Sequence, residues 1–458
     1  MANKGMRVRF LLIWLLVLVW WNPIAAADAP AKPAANSINW KRGSEKFDAN
    51  LKGKPLVEVL ESIRKQTGWE VFIDPGMDQK VFASFKDKAP DEAMDLLLGR
   101  IGYSLVPQRK GSAKLYVYRK NRDQATKRID LKARKAKPIP KELVVVLKEG
   151  DDPKALARKY NATIVSSIED LNAHRLRFKN QNDADFAKTQ ISGSGEGETD
   201  FLYEVDRPVG GESLGNANLP GLKLNPPQAG GENIIIGLID TPVQANMAHA
   251  DYLLPSINLA GDPALGIGEP THGTSMAESM LRGVAEANMA GNDKPVQILP
   301  VDVYGDSPTT NTFDVARGIV EAANSGADII NLSLGGTGDS SFLHNVIKQG
   351  NDSGVLFMAA AGNEPVTTPT FPAAYPEVMA VTATDRRGNI ASYANRGDFV
   401  EVAAPGSMVV PYNGRAFYVT GTSAASAYLS GVAAGMTSRS GRTPHQVGTG
   451  IRTIMAVK

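Results

Sequence analysis

The chain has 458 residues, 43% of them hydrophobic and 21% charged, an ordinary globular composition with room for about three domains. It contains no cysteine, which excludes a disulfide framework, a thiolate metal site and a cysteine nucleophile. The net charge of +2 is uneven: residues 231–458 carry 12 basic against 20 acidic side chains, whereas 109–141 carry 13 against 2.

Lys4, Arg7 and Arg9 precede the apolar run "FLLIWLLVLVWW" (10–21), and "NPIAAADA" follows with small residues. Twelve residues rise about 18 Å as a helix, short of the roughly 30 Å core of a bilayer. The pattern predicts a cleaved secretory signal over 1–27 and an extracytoplasmic mature chain, periplasmic or secreted. A first folded unit is expected over 38–120. "KPLVEVLESIRKQTG" sets Leu56, Val59, Leu60 and Ile63 at helical spacing with Gly68 as its stop. "WEVFI", "KVFASF" and "KLYVYR" predict strands, and "APDEAMDLLLGRIG" a second helix. No reactive cluster occurs here, so the unit is expected to bind or dock. Its pattern resembles the short N-terminal domain of secretins and TonB-dependent receptors, which implies a partner at the outer membrane or in a secretion system.

The basic stretch over 121–141 predicts a solvated linker, with an acidic polymer or membrane surface as the other use of such charge. From 142 to 206 the order is strand ("ELVVVLKEG"), helix ("DPKALARKY"), strand ("ATIVSSI"), strand ("HRLRF"), helix ("DADFAKTQI") and strand ("DFLYEV"). His174 falls in a strand and is expected to be structural. Residues 207–232, rich in Gly, Pro and Asn, predict an exposed connector. From 233 to 458 the apolar runs "NIIIGLI", "VQILPVDV", "ADIINLSL", "VLFMAAAG" and "VMAVTA" alternate with helical stretches. Such runs indicate an α/β domain with a parallel sheet covered on both faces, whose ligands gather beyond the carboxyl ends of the strands.

Polar residues stand where that rule points. Asp240 ends "NIIIGLID", Ser333 ends "ADIINLS", Asn363 follows "VLFMAAAG", and His272 opens the helical "HGTSMAESMLRG". Ser423 follows the strand "FYVTG" and starts a helix of small residues. Gly421 permits a tight bend, after which Ser423 lies in the first helical turn, where free N–H groups favour a developing oxyanion. Ser426 and Ser430 lie deeper in the helix and are expected to bond back to backbone carbonyls. A serine hydroxyl needs a base, and an imidazole oriented by a carboxylate supplies one at neutral pH. His272 and Asp240 fit those roles, and Asn363 fits that of an amide donor to the oxyanion. His249, beside Asp251 in "AHADY", is a poorer base because it lacks the Gly-Thr turn and helix that present His272.

These motifs resemble those of the subtilisin-like serine peptidases, whose Asp, His, Ser order is a hallmark of that family. "LIDTPV" matches its aspartate motif, "HGTSMA" its histidine motif, "AAAGNE" its oxyanion asparagine and "GTSAAS" its serine motif. "NLSLGG" resembles the strand that pairs with the substrate backbone, which implies substrate-binding roles for Ser333, Leu334 and Gly335. The segment 142–206 is similar to the family's ferredoxin-like inhibitory propeptide. The serine motif departs at Ala424 and Ala427, where the family usually has Met and Pro. "GVAEANMAGNDKPVQ" is too short for its calcium loop, so no metal and no cofactor are expected.

The resemblance implies a subtilisin-like domain preceded by two small α+β domains. It implies a secreted serine endopeptidase made as a zymogen, acting on protein and peptide substrates, restrained by its own propeptide and without a nucleic-acid partner. The alternative is a catalytically inactive scaffold whose N-terminal module binds at the outer membrane. Absence of the "G-x-S-x-G" elbow around Ser423 argues against a lipase or esterase.

Overall fold

The computed structural model describes residues 36–74, 77, 79–107, 112–119, 127–129, 136–217, 219–227, 232–287 and 294–457. The expected signal over 1–27 and most of the basic linker lie outside the described residues. Among the described residues, no helix is long and apolar enough to cross a membrane.

The N-terminal unit comprises β1 (Ser37–Lys41), β2 (Lys46–Pro55), α1 (Leu56–Thr67), β3 (Glu70–Ile73), β4 (Lys80–Lys88), α2 (Pro90–Leu98), β5 (Gly102–Val106), β6 (Lys114–Tyr118) and β7 (Lys127–Arg128). The strands form two sheets, in the orders β1-β2-β4 and β5-β6-β3-β7. Helix α1 buries Leu56, Val59, Leu60 and Ile63, the stripe set by its sequence spacing, and ends at Gly68 in the left-handed region. These side chains join Met94, Leu97 and Leu98 of α2 in a core belonging to this unit alone.

The second unit runs β8 (Glu142–Leu147), α3 (Pro153–Lys159), β9 (Thr163–Ile168), β10 (Ala173–Arg177), α4 (Gln181–Ser194) and β11 (Gly197–Asp200). Its antiparallel order β11-β8-β10-β9 is the ferredoxin-like arrangement of two interleaved strand-helix-strand units. The strand expected from "DFLYEV" is corrected here. Residues Gly197–Asp200 close this sheet, while β12 (Glu204–Asp206) leaves it and pairs elsewhere. Leu202 and Val205 turn outward into a neighbouring core, so burial there outcompetes extension of the parent sheet. His174 is buried and bonded to Ser167 and Asn172, a structural role; burial lowers its pKa.

After β13 (Glu212–Asn216), the third unit contains β14 (Ile234–Asp240), β15 (Ile257–Asn258), α5 (His272–Ala287), β16 (Val296–Asp302), β17 (Thr309–Asn311), α6 (Thr312–Asn324), β18 (Ile329–Leu332), α7 (Ser341–Asp352), β19 (Leu356–Ala360), β20 (Val378–Thr384) and β21 (Val402–Pro405). A hairpin of β22 (Ser407–Tyr412) and β23 (Arg415–Thr420) precedes α8 (Thr422–Ser440) and α9 (Pro444–Ile454). Seven parallel strands stand in the order β15-β16-β14-β18-β19-β20-β21. Helices α5, α8 and α9 contribute to the core on one face, α6 and α7 to that on the other. Within the connector, Glu212–Asn216 form a strand that the composition does not suggest, because β13 adds to β23.

Two contacts fix the architecture around the site. Helices α5 and α8 cross with their backbones touching: a Cβ at Gly431 would stand 1.9 Å from Met280 O, and one at Gly283 2.1 Å from Tyr428 O. The crossing therefore sets the starts of both helices relative to one another. The second unit also shares a core with the third, Val144, Ile168 and Leu202 packing with Phe313 and Phe342. Arg175 bridges Glu142 and Asp314, and Asp200 accepts from Ser340 Oγ and Phe342 N at the start of α7.

The crossing sets a stability test. Gly431→Ala should destabilise by about 1–3 kcal/mol, the usual cost of overpacking. Gly450→Ala, in α9 with nothing within 4 Å of the added methyl, should be neutral or stabilising by up to about 1 kcal/mol. Thermal unfolding of the two variants decides; equal effects would mean that the helices can separate freely.

Candidate active site

Asp240 is the last residue of β14, fully buried at the carboxyl edge of the sheet. Its side chain accepts from Thr241 N at 2.6 Å, and both carboxylate oxygens face His272 Nδ1, at 2.8 and 2.9 Å. A carboxylate in that position keeps the proton on Nδ1 and leaves Nε2 as the basic nitrogen. His272 opens α5, and the glycine after it is required: a Cβ at Gly273 would lie 2.1 Å from Thr241 O. Gly273 N also donates to Thr241 Oγ1 at 2.8 Å. The "HG" and "DT" pairs are thus two halves of one contact. Gln244 ties the flanks, donating its backbone N–H to Thr274 Oγ1 and accepting from Thr271 N and Thr274 Oγ1 at its carboxamide oxygen.

Ser423 is the second residue of α8, whose cap Gly421 has φ 140°. A side chain at 421 would be strained there and would come within 3.2 Å of Asn363 Nδ2. Thr422 donates to Asn363 Oδ1 through N at 2.8 Å and Oγ1 at 3.1 Å. With its oxygen pinned, Asn363 keeps Nδ2 available beside the start of α8. Ser333 and Ser423 hold each other: Ser333 Oγ donates to Ser423 O at 2.9 Å, and Ser423 Oγ donates to Ser333 O at 3.1 Å. The Ser423 hydroxyl is therefore engaged with Ser333, while the His272 ring is bonded to Asp240.

The structure brings Ser423, Asn363, Ser333, Leu334 and Gly335 to the wall of one cleft of about 750 Å³. Leu334 turns its side chain into the core, which leaves its main chain to the cleft. Glu364 also lines the cleft. So do Glu204, Asp206, Arg207 and Pro208 of the segment before the third unit. That segment is anchored on both sides, β12 pairing with β17 and β13 with β23.

Several residues of the site escape sequence reasoning. Asn331, fully buried in β18, accepts from Ser426 and Ser430 and donates to Ser333 Oγ. The expectation that Ser426 bonds a backbone carbonyl is thereby corrected, because a buried carboxamide lies closer to hand; Ser430 makes both kinds of bond. The polar Asn331 inside "ADIINLSL" was the available signal. Asn395 accepts from Glu364 N and Val366 N and donates to Ala361 O, bracing the loop that carries Asn363. It sits in an unremarkable turn with no signal of its own.

His249 is bonded through Nδ1 to the buried carboxylate of Glu278 at 2.7 Å, a pair built within the α5 flank. That hydrogen bond raises the His249 pKa above its ordinary 6.5, against the opposing effect of burial. A raised folded pKa gives stabilisation fully present below the unfolded pKa and lost as pH climbs through the folded one. The melting-temperature gap between the parent and His249→Gln should therefore be widest near about pH 6 and narrow toward about pH 9. A gap independent of pH would show that the ring's charge contributes nothing.

Residues 231–455 match the subtilase family, and residues 124–196 match the fervidolysin N-terminal prodomain. Thermitase of Thermoactinomyces vulgaris is 33% identical over 237 residues, 49% of this chain and 83% of that protein. Alkaline elastase YaB of Bacillus sp. (strain YaB) is 33% identical over 213 residues, 44% of this chain and 54% of the elastase. The crystal structure of fervidolysin from Fervidobacterium pennivorans, a keratinolytic enzyme related to subtilisin, shares the fold with a TM-score of 0.51 at 20% identity, covering 69% of this chain and 57% of that one. The chain belongs to the subtilase family of serine-type endopeptidases and carries a prodomain-like region ahead of its peptidase domain.

Proposed function

We propose that this chain is a secreted subtilase made as a zymogen, with Ser423 as nucleophile, His272 as base and Asp240 as the group that orients the ring. The observation that carries the reading is the grip of both Asp240 oxygens on His272 Nδ1. A ring so held can accept the Ser423 proton at Nε2 as Oγ bonds to the peptide carbon, and then pass it to the leaving amine as the carbonyl re-forms. Water repeats the sequence on the acyl-enzyme, using the same base. The Ser423 N–H at the start of α8 and Asn363 Nδ2 hold the oxyanion. The substrate backbone pairs along Ser333, Leu334 and Gly335, whose main chain faces the cleft.

In this role Ser423 Oγ gives up its 3.1 Å bond to Ser333 O, and a substrate N–H can take that carbonyl in its place. The same bond, with the departure of the serine motif at Ala427, favours the rival reading, an inactive scaffold. The segment from Glu204 to Pro208 blocks the cleft as an internal ligand until the chain is cut. The signal-like N-terminus supports export. The N-terminal unit, with a core of its own, docks the enzyme to a partner at the outer membrane or in a secretion system.

Expression of the parent beside Ser423→Ala tests the zymogen: the parent should yield a smaller species on a gel that the variant lacks. Identical band patterns would rule out self-processing. Asn363→Ala should lower kcat by about 10²–10³ with KM little changed, the loss known for removal of the oxyanion asparagine in a subtilisin. An unchanged kcat would remove Asn363 from the mechanism.

A further inference from the structure

The segment ahead of the peptidase domain runs through the cleft, and its path identifies a subsite. Val205 stands opposite Thr310 in the β12–β17 pairing and is buried in the shared core. Arg207 N donates to Pro308 O at 2.9 Å. On the far side, a Cβ at Gly210 would stand 2.8 Å from Pro270 O, just before the start of α5. Between these anchors Pro208 lines the cleft with Ser423, and Val209 is 86% exposed. Pro208 is thus the last residue of the segment to line the cleft with Ser423, and Arg207 is the residue immediately ahead of it.

The Arg207 side chain is held. Its Nη1 donates to Gly305 O at 2.7 Å and Ser307 O at 2.9 Å, and its guanidinium lies 5.9 Å from the centre of the Tyr304 ring. The turn that presents these carbonyls is braced from behind by Asp302, which is 2% exposed and accepts from Tyr304 N and Gly305 N. Asp302 also stands beside Asp240 in the β14–β16 register. One buried carboxylate, Asp302, therefore stands behind two carbonyl oxygens and an aromatic face, a surface that favours a cation over a neutral or acidic side chain. Tyr304 Oη donates to Asp206 O at 3.1 Å, which fixes the backbone next to the bound arginine.

We propose that the turn 302–308 is a specificity subsite for a basic side chain, arginine before lysine, one residue ahead of the residue whose carbonyl Ser423 attacks. Arg207 is its internal ligand in the zymogen, and the preferred substrates are peptides with a basic residue at that position. This rests on the peptidase reading above, so the test has one arm that needs catalysis and one that does not.

In the first arm, full-length Ser423→Ala carrying Arg207, Arg207→Lys, Arg207→Gln or Arg207→Glu is followed by amide hydrogen exchange. Protection at 204–207 should fall at least tenfold for Gln and Glu and be largely kept for Lys. Unchanged protection in Arg207→Glu would overturn the subsite. In the second arm, the active chain is given internally quenched peptides that differ only in carrying Arg, Lys, Gln or Glu at that position. The Arg peptide should exceed the Gln peptide at least tenfold in kcat/KM, through KM, with the Glu peptide poorest. Rates within twofold of one another would also overturn the subsite. Failure to hydrolyse any peptide would count against the peptidase reading, and the exchange arm would then decide the subsite alone.

Discussion

The hydrogen bond from His272 Nδ1 to the Asp240 carboxylate is the constraint around which the rest of the site is arranged. It joins the end of a central strand to the first residue of a helix that follows a long excursion of the chain. Both groups are nearly inaccessible to water, the aspartate fully buried and the histidine 5% exposed, where an ion–dipole contact is little screened. The price is steric: the helix start presses so closely on the loop after Asp240 that only glycine fits at 273.

Ser423 is positioned by a different device. Helix α8 carries little charge and has a buried, small-residue surface, so it reaches its neighbours through backbone contact instead of interlocking side chains. Gly431 against Met280 and Gly283 against Tyr428 make the relation between α5 and α8 stiff. A polar chain through Asn331, Ser333 and the Ser423 carbonyl then ties the first turn of α8 to the end of β18. Buried hydroxyls and carboxamides are costly unless paired, and here the pairing aligns the helix that presents Ser423.

Much of this was legible in the sequence because it follows from short-range rules. Continuous apolar runs gave the parallel strands, and the stripe of Leu56, Val59, Leu60 and Ile63 gave the buried face of α1. Gly421 before Ser423 marked the bend. What was hidden depends on the fold. Asp200 belongs to the closing strand of the second unit only because Leu202 and Val205 find better burial against the peptidase domain. Asn395 braces the loop that carries Asn363 from a turn that no local pattern distinguishes. The strand within the connector was hidden for the same reason: its partner, β23, lies about two hundred residues further on.

The prodomain-like unit, its tail and the peptidase domain pack together, with the tail lining the same cleft as Ser423. The central claim is that Asp240, acting through His272, makes the Ser423 hydroxyl reactive. The rate at which a fluorophosphonate labels the chain, cut ahead of the peptidase domain by the same added protease in parent and variant, measures that reactivity without any assumption about substrate preference. The label should map to Ser423 and form about 10⁴-fold more slowly in Asp240→Asn, the scale seen when a triad aspartate is neutralised in other serine peptidases. Labelling at equal rates in the two proteins, or at a residue other than Ser423, would contradict the account.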